Sequence, residues 1–282
     1  MISIINKIIT LILVPIYFSV LSPTYPIIVL FNQPQQLISL SENGVGSEED
    51  PVYLTAHRGV NALAPENSLP SFEEAVKNNY YSAECDIQLT KDNKWVVIHN
   101  AEVDGRFCQY GKIADLTLEE LKTFSYNWGP NLWKYKDSRI PTLEEYLDVF
   151  VGTETRPQIE IGIHDFTMLN SIVEAITERG LTDQAIILAP NFEQLKAIHN
   201  INPDIELWYL VDTMTAETVA QAKQLGDNVW LSASYDKNTK ENIELAKREN
   251  VNFSLFTVNT VEEAKALYDM GVRYIETDIL CN

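Results

Sequence analysis

Cysteine and positive charge are both scarce in this 282-residue sequence. The three cysteines, Cys85, Cys108 and Cys281, form no CxxC or zinc-finger spacing, and their odd number excludes a fully paired set of intramolecular disulfides. The 21 basic residues against 40 acidic residues give a net charge of −19, which disfavours binding to nucleic acid or to an anionic membrane surface. A phosphate site in such a chain needs its own positive field, and a bound divalent cation would supply it.

Charge is almost absent from the first 31 residues, which carry only Lys7. An apolar run spans residues 8–20, without the pattern of an amphipathic helix and without a small-residue cleavage site after it. We therefore expect residues 1–31 to be an uncleaved membrane anchor in preference to a removed signal peptide. Residues 32–51, rich in Ser, Glu, Gly and Asp towards their end, are expected to form a linker. This arrangement predicts a membrane-anchored or exported protein whose main domain is extracytoplasmic.

Beyond residue 51, short apolar segments alternate with amphipathic segments, which is typical of strands and helices around a parallel sheet. Eight barrel strands are predicted, near residues 52–57, 82–88, 158–162, 185–189, 205–210, 229–232, 253–257 and 273–276. This pattern indicates the α/β class and a single TIM (β/α)8 barrel over residues 52–282.

One further strand-like segment, residues 94–99, does not fit this alternation. The connection before it is too short to cross over to a parallel strand, so we predict an antiparallel hairpin. With a two-residue turn at 92–93, Asp86 would lie opposite His99, and Glu84 would share their face. The hairpin is thus expected to gather two carboxylates and one imidazole at the C-terminal end of a strand, where TIM barrels carry their active sites.

An ordered series of short motifs extends from the first strand to the C-terminus. It comprises His57, Arg58, Gly59, Pro65, Glu66, Asn67, Phe72, Ala75, Glu84, Asp86, Thr90, Asp92, His99, residues 140–145, Glu160, residues 257–259, Gly271, Thr277 and Asp278. This series resembles the glycerophosphodiester phosphodiesterase family, part of the phosphatidylinositol-phospholipase-C-like phosphodiesterases. Each motif is weak alone, but their ordered combination is specific.

The resemblance implies that Glu84, Asp86 and Glu160 hold a divalent cation and that His57 and His99 are the acid and base pair. Three carboxylates without a cysteine ligand suit a hard cation, Ca²⁺ or Mg²⁺. Imidazole groups titrate near neutrality, as proton transfer to and from oxygens at phosphorus requires. The order in which the two histidines act stays open.

The resemblance also implies that Arg58 binds non-bridging phosphate oxygens and that Glu66 orients Arg58 or His57. The sequence departs from the family pattern at two positions. The family usually has an aspartate after the second histidine and a lysine two residues after the third glutamate, where this chain has Asn100 and Gly162. Loss of that lysine removes a positive charge from the phosphate site, which predicts weaker activity or a different substrate.

The reaction implied by the resemblance is hydrolysis of a glycerophosphodiester to sn-glycerol 3-phosphate and an alcohol. Two alternatives stay open: a related phosphodiesterase or lyase acting on lysophospholipids, and a catalytically weakened, membrane-tethered binding protein. The expected partners are a small-molecule or lipid-derived phosphodiester and the membrane, without nucleic acid. Aromatic residues at 126–135 are expected either to cover the substrate or to pack on the barrel, and His164 and His199 to be structural or surface residues.

Overall fold

Eight parallel strands close into a barrel in the computed structural model, which describes residues 33–103, 105–162, 166–226 and 229–282. In chain order the strands are β1 (Ile38–Ser39), β2 (Tyr53–Ala56), β3 (Ser82–Leu89), β4 (Trp95–Val97), β5 (Glu102–Val103), β6 (Gly111–Lys112), β7 (Arg156–Ile161), β8 (Ile186–Ala189), β9 (Glu206–Val211), β10 (Val229–Ser234), β11 (Asn252–Phe256), β12 (Tyr274–Thr277) and β13 (Leu280–Cys281). The ring runs β2, β12, β11, β10, β9, β8, β7, β3, and the pairing of β3 with β2 closes it. The predicted TIM barrel and its eight strands are confirmed.

Helices on the outside of the barrel complete the units. They are α1 (Leu69–Lys77), α3 (Leu143–Asp148), α4 (Leu169–Glu178), α5 (Phe192–Ile201), α6 (Ala216–Ala222), α7 (Lys240–Arg248) and α8 (Val261–Asp269), whereas the short helix α2 (Leu118–Lys122) belongs to the long connection between β4 and α3. Several begin at a serine or threonine whose side chain accepts the N–H of the third helical residue, as Ser68, Thr142 and Thr260 do. Their apolar faces cover the outward side chains of the strands and form the main core.

The hairpin of β3 and β4 is confirmed, but its register differs by one residue from the predicted register. Leu89 lies opposite Trp95, because the turn contains three residues, 91–93, in place of two. The last turn residue is an asparagine with a φ of 57°, which is typical of three-residue hairpin loops. A one-residue shift changes which side chains face each other. The predicted pairing of Asp86 with His99 is therefore wrong.

The N-terminal part of the described chain packs on the barrel, although the sequence predicted a linker over residues 32–51. Strand β1 pairs in parallel with β13, and Leu40 is fully buried in the main core. The Asp50 carboxylate binds the Arg273 guanidinium through distances of 2.6 and 2.7 Å. Residues 33–51, here called the strap, run along the barrel wall, because their few apolar side chains are buried against it.

The predicted membrane segment, residues 1–31, lies outside the described residues, and so does His164. Within the part of the chain that the structure describes, no helix is both long and apolar enough to cross a membrane. Membrane attachment therefore stays a prediction from the sequence.

Residues 100–141, here called the cap segment, connect β4 to α3 across the C-terminal face of the barrel. The cap segment has a small core of its own that includes Phe107 and Tyr126. The Tyr126 hydroxyl donates to the Asn67 carbonyl at 2.7 Å, which fixes the cap segment to the loop after β2. Tyr126 is buried and Trp128 is exposed, and both line a cavity, so these aromatic residues both pack and cover.

Candidate active site

Four carboxylates converge inside the barrel towards the C-terminal ends of its strands. Glu84 and Asp86 lie on β3, Glu160 lies on β7, and Glu276 lies on β12. They share the interior because alternate residues of a strand face the same side, and the strand register sets Asp86 beside Glu160. Ligand atoms of Glu84, Asp86 and Glu160 all lie within 4.8 Å of one another. The three residues predicted to hold a cation are thus brought together.

Glu84 is the most deeply placed of these carboxylates. Its Oε2 accepts the backbone N–H of Arg58 at 2.8 Å, whereas its Oε1 is buried without a hydrogen-bond partner. Burial raises the pKa of Glu84 well above its ordinary value, and the charges of Asp86, Glu276 and Glu160 raise it further. A buried carboxylate oxygen without a partner costs stability unless a proton or a cation satisfies it.

Glu160 and Glu276 share this unfavourable environment. Burial, with the charges of Asp86 and Glu276, raises the pKa of Glu160 to about 8. Burial also raises the pKa of Glu276 to about 7, although the proximity of His57 opposes the shift. Carboxylates that crowd one volume compete for protons, and a divalent cation relieves their repulsion. The donor set, made of carboxylate oxygens, fits a hard cation.

His57 follows β2 and is held by Asp278. Its Nδ1 lies 2.7 Å from Asp278 Oδ1, and Asp278 also accepts amide hydrogens from Asn61 at 2.6 Å and Asn259 at 2.7 Å. Burial would raise the pKa of Asp278, but these hydrogen bonds lower it to about 2. Asp278 is therefore ionised and accepts the Nδ1 proton, which directs Nε2 into the site, 4.0 Å from Glu276 Oε1.

The pKa of His57 results from opposing influences. Burial lowers it, but the hydrogen bond to Asp278 and the charges of Glu276 and Asp278 outweigh burial and raise the pKa above its ordinary value. Two carboxylates, Asp278 and Glu276, thus favour the protonated imidazole against the effect of burial, which suits an acid or base in catalysis.

Arg58 and Glu66 form the wall beside His57. Arg58 Nη1 donates to Glu66 Oε1 at 3.0 Å, and its Nε lies 3.5 Å from Asp86 Oδ2. Of the two predicted roles for Glu66, contact with Arg58 is thus the one seen. The next residue, Gly59, has a φ of 75°, and a Cβ there would lie 2.3 Å from Ser71 Oγ. Only glycine fits this tight passage of the loop.

His99 stands apart from the other predicted site residues. Its side chain is exposed, and its Nδ1 lies 2.8 Å from Asn100 Oδ1. Among the described residues, no hydrogen bond or ion pair joins the His99 side chain to the four carboxylates. The His99 carbonyl accepts a hydrogen from Nε2 of Gln88, a residue of β3, at 3.0 Å.

A cavity of about 550 Å³ opens between the barrel and the cap segment. Its lining consists of Gln35, His57, Arg58, Asn61, Glu66, Arg106, Tyr126, Trp128, Gly129, Pro130, Asn259, Asp278 and Ile279. The strap, the barrel loops and the cap segment all contribute to this wall. The cavity is large enough for a small phosphodiester and exposes both the His57 imidazole and the Arg58 guanidinium.

Sequence reasoning missed several residues of this site. Glu276 lies in the predicted strand 273–276, and a carboxylate inside a barrel strand was a usable signal, as it was for Glu84. Asp278 belonged to the resembling motifs but had no predicted role. Asn67, whose Nδ2 donates to Asp86 Oδ2 at 2.8 Å, likewise belonged to these motifs without a predicted role, whereas Arg106 had no comparable signal.

Comparison with known proteins shows the family to which the chain belongs. Residues 57–280 match the family model for the glycerophosphoryl diester phosphodiesterase family. The chain belongs to this family. The Bacillus subtilis protein YhdW is 30% identical over 259 residues, which are 80% of this chain and 94% of YhdW. The glycerophosphodiester phosphodiesterase of Caldanaerobacter subterraneus is 29% identical over 228 residues, 79% of this chain and 92% of that protein.

Solved structures of other phosphodiesterases share the fold. An Oleispira antarctica phosphodiesterase in complex with the product sn-glycerol-3-phosphate matches with a TM-score of 0.70 and 22% identity, covering 86% of this chain and 96% of that one. The enzyme of Agrobacterium tumefaciens matches with a TM-score of 0.68 and 18% identity, covering 80% and 96%. The prediction that this chain is a phosphodiesterase of this family is confirmed.

Proposed function

We propose that this enzyme hydrolyses glycerophosphodiesters to sn-glycerol 3-phosphate and an alcohol, with Ca²⁺ or Mg²⁺ held by Glu84, Asp86 and Glu160. The observation that carries the proposal is the buried, unpartnered Oε1 of Glu84 among three further carboxylates. When bound, the cation neutralises charge on the phosphate and polarises it towards attack. The product of the Oleispira antarctica relative supports sn-glycerol 3-phosphate as the product here.

His57 is the acid or base nearest to the carboxylates. Asp278 holds its Nδ1 proton, so Nε2 is the atom that takes or gives a proton at a phosphate oxygen or at the attacking water. The ionised Asp278 also stabilises the imidazolium that forms when Nε2 is protonated. Arg58, fixed by Glu66, binds a non-bridging oxygen and orients the phosphorus for attack.

His99 is proposed as the second member of the acid and base pair. Its backbone follows β4 and runs beside the part of β3 that carries Asp86, since the Ile98 N–H donates to the Asp86 carbonyl at 2.9 Å. The exposed imidazole reaches the leaving oxygen by a side-chain rotation, and such rotations of exposed residues are fast. Catalytic contacts of this kind often tighten only when substrate binds.

A second function, binding without turnover, rests on Gly162. This residue stands where the resembling family usually has a lysine, so one positive charge is missing beside Glu160. A protein of this kind would hold the cation and a phosphodiester without cleaving it.

The test is release of sn-glycerol 3-phosphate from glycerophosphocholine and from lysophospholipids by the purified full chain, with Ca²⁺, Mg²⁺ or EDTA. We expect cation-dependent release that falls by about 10²–10⁴-fold in His57→Ala, the range for loss of an acid or base. Release from lysophospholipids alone favours the altered substrate. Cation binding without release from any substrate favours the binding protein and contradicts hydrolysis.

Membrane attachment through residues 1–31, with an extracytoplasmic barrel, is proposed on the apolar sequence of that segment. Gln35 lines the cavity, and its N–H donates to the Ala62 carbonyl at 2.9 Å. The N-terminal end of the strap therefore lies beside the active site. Fractionation of membranes tests this proposal, since full-length protein would stay with the membrane after a high-salt wash. Release by salt would contradict it.

A further inference from the structure

Arg106 brings a second guanidinium group to the cavity wall. It lies in the single helical turn Gly105–Phe107 of the cap segment, outside every motif that resembles the family. Its backbone is fixed, because the Arg106 carbonyl accepts the Asn127 N–H at 2.7 Å and the neighbouring Phe107 packs on Tyr126 with ring centres 4.7 Å apart. The side chain is thus carried by an anchored turn.

Glu66 binds both guanidinium groups of the cavity wall. Arg58 Nη1 lies 3.0 Å and Arg106 Nη1 lies 2.9 Å from the same atom, Glu66 Oε1. The two arginines are therefore held side by side in the cavity wall. A guanidinium has five N–H donors, so a contact with Glu66 is compatible with a second contact to a phosphate oxygen.

The charge around the cavity shows why one arginine is not enough. Four carboxylates lie beside the site, three of them buried and Glu160 partly buried, and the Arg58 side chain already lies between Glu66 and Asp86. A phosphodiester is itself an anion, so it meets repulsion unless several positive groups face it. Gly162 offers no charge, and within the described part of the chain Arg58 and Arg106 are the two arginines that line the cavity, together with His57.

We propose that Arg106 binds a non-bridging oxygen of the substrate phosphate and supplies, from the cap segment, the positive charge that Gly162 lacks. This inference rests on the proposed function for the identity of the substrate. The guanidinium fork suits phosphate, and its pairing with Glu66 preorganises it. Arg106 thereby couples the position of the cap segment to phosphate binding.

The test exchanges the charge between the two positions. The variants are Arg106→Gln, Gly162→Lys, the double variant Arg106→Gln with Gly162→Lys, and Lys112→Gln. Lys112 is an exposed cation of the same cap segment and serves as the matched control. A Cβ on Gly162 would have its nearest contact at 3.6 Å, with Gln88 Nε2, so a side chain has room to start there.

Binding of sn-glycerol 3-phosphate to the full chain with Mg²⁺, measured by calorimetry, is the first readout. We expect Arg106→Gln to weaken this binding by about 10–100-fold, the effect of losing a hydrogen bond to a charged group. The double variant is expected to recover much of the loss, because the lysine restores the charge without restoring the contact to Glu66. Lys112→Gln is expected to bind like the wild type.

Hydrolysis of glycerophosphocholine is the second readout, and KM is expected to rise in Arg106→Gln. Unchanged binding in Arg106→Gln, or no recovery in the double variant, would overturn the inference. Absence of binding to the wild type would overturn it as well. If Arg106→Gln lowers the Tm strongly, the variant Arg106→Lys is measured as well. At a temperature where both variants are folded, Arg106→Lys must then bind sn-glycerol 3-phosphate more tightly than Arg106→Gln. Failure of the proposed function shows separately, as binding without hydrolysis.

Discussion

The two ends of the barrel interior differ in chemistry. At the N-terminal end, aromatic rings pack against one another: Trp208 stacks on Trp230 with ring centres 5.0 Å apart, and Tyr274 stacks on the exposed Tyr53 at 4.6 Å. An ion pair lies beside these rings, with Arg156 and Glu206 3.1 Å apart, so their charges are matched. We call this aromatic end the floor and the carboxylate end the mouth.

The mouth has the opposite character. Glu84, Asp86, Glu160 and Glu276 face one another, and a buried oxygen of Glu84 has no hydrogen-bond partner. Such an arrangement costs stability, whereas the stacked floor contributes to it. In TIM barrels the N-terminal face serves stability and the C-terminal face carries the chemistry, and the difference between these two ends follows that division.

Loss of one carboxylate at the mouth is expected to have the largest effect. In Glu84→Gln, kcat/KM should fall by about 10³-fold or more, because several kcal/mol of charge stabilisation at the phosphate are lost. The metal-free variant should unfold at the same Tm as the wild type or higher, since the amide cannot ionise in this buried position and its oxygen can still accept the Arg58 N–H. Kinetics with Mg²⁺ and thermal unfolding in EDTA measure the two effects. A lower Tm without a loss of activity would show that Glu84 serves stability and not the reaction, and would contradict the account of the mouth.

Loss of one ring from the floor is expected to act on stability alone. Trp208→Ala should lower the free energy of unfolding by about 3–5 kcal/mol, the range for removing a large buried aromatic side chain. The KM of the folded enzyme should stay unchanged, because Trp208 does not line the cavity and packs with Ile186 and Leu188 in a separate apolar cluster. Urea denaturation and kinetics at low temperature check this pair of outcomes. A changed KM with unchanged stability would show that the floor takes part in function.

The pH dependence of stability should also separate the two ends. The pKa values of Glu160 and Glu276 rise from the ordinary 4.5 to about 8 and about 7, so the folded state keeps protons that the unfolded state has released. The contribution of these two groups to the stability of the metal-free protein is therefore fully present below about pH 4.5. It is lost as the pH rises towards 8. The Tm in EDTA should drop by several degrees over this interval.

The matched control for this titration is Glu276→Gln, which should flatten the profile. Raising the pH in the presence of Mg²⁺ should cause a smaller drop, because the cation replaces the lost protons. A metal-free Tm that rises between pH 5 and pH 8 would contradict the assignment of protonated carboxylates to the mouth.

Much of the fold was predictable because the barrel strands are buried on both faces and appear as short apolar runs. The carboxylates of β3 were predictable for the opposite reason, since Glu84 and Asp86 interrupt such a run. The hairpin register was not predictable, because the left-handed conformation of Asn93 lengthens the turn by one residue. That single residue decides which side chain lies opposite Asp86.

Other parts of the site depend on contacts between distant segments. The strap has the composition of a linker, and only its pairing with β13 at the far end of the chain shows its role. Arg106 reaches the cavity through the path of the cap segment, which local sequence patterns do not determine. Glu276 could have been found from the strand pattern, but the resemblance drew attention to the neighbouring Thr277 and Asp278.

Calorimetric titration of the metal-free full chain with Mg²⁺ and with Ca²⁺ at pH 8 tests the central claim most directly, with Glu84→Gln measured beside the wild type. The account predicts that the wild type binds a cation and that Glu84→Gln loses most of this binding. Equal binding by both proteins, or no binding by the wild type, would contradict a cation site at the mouth of the barrel.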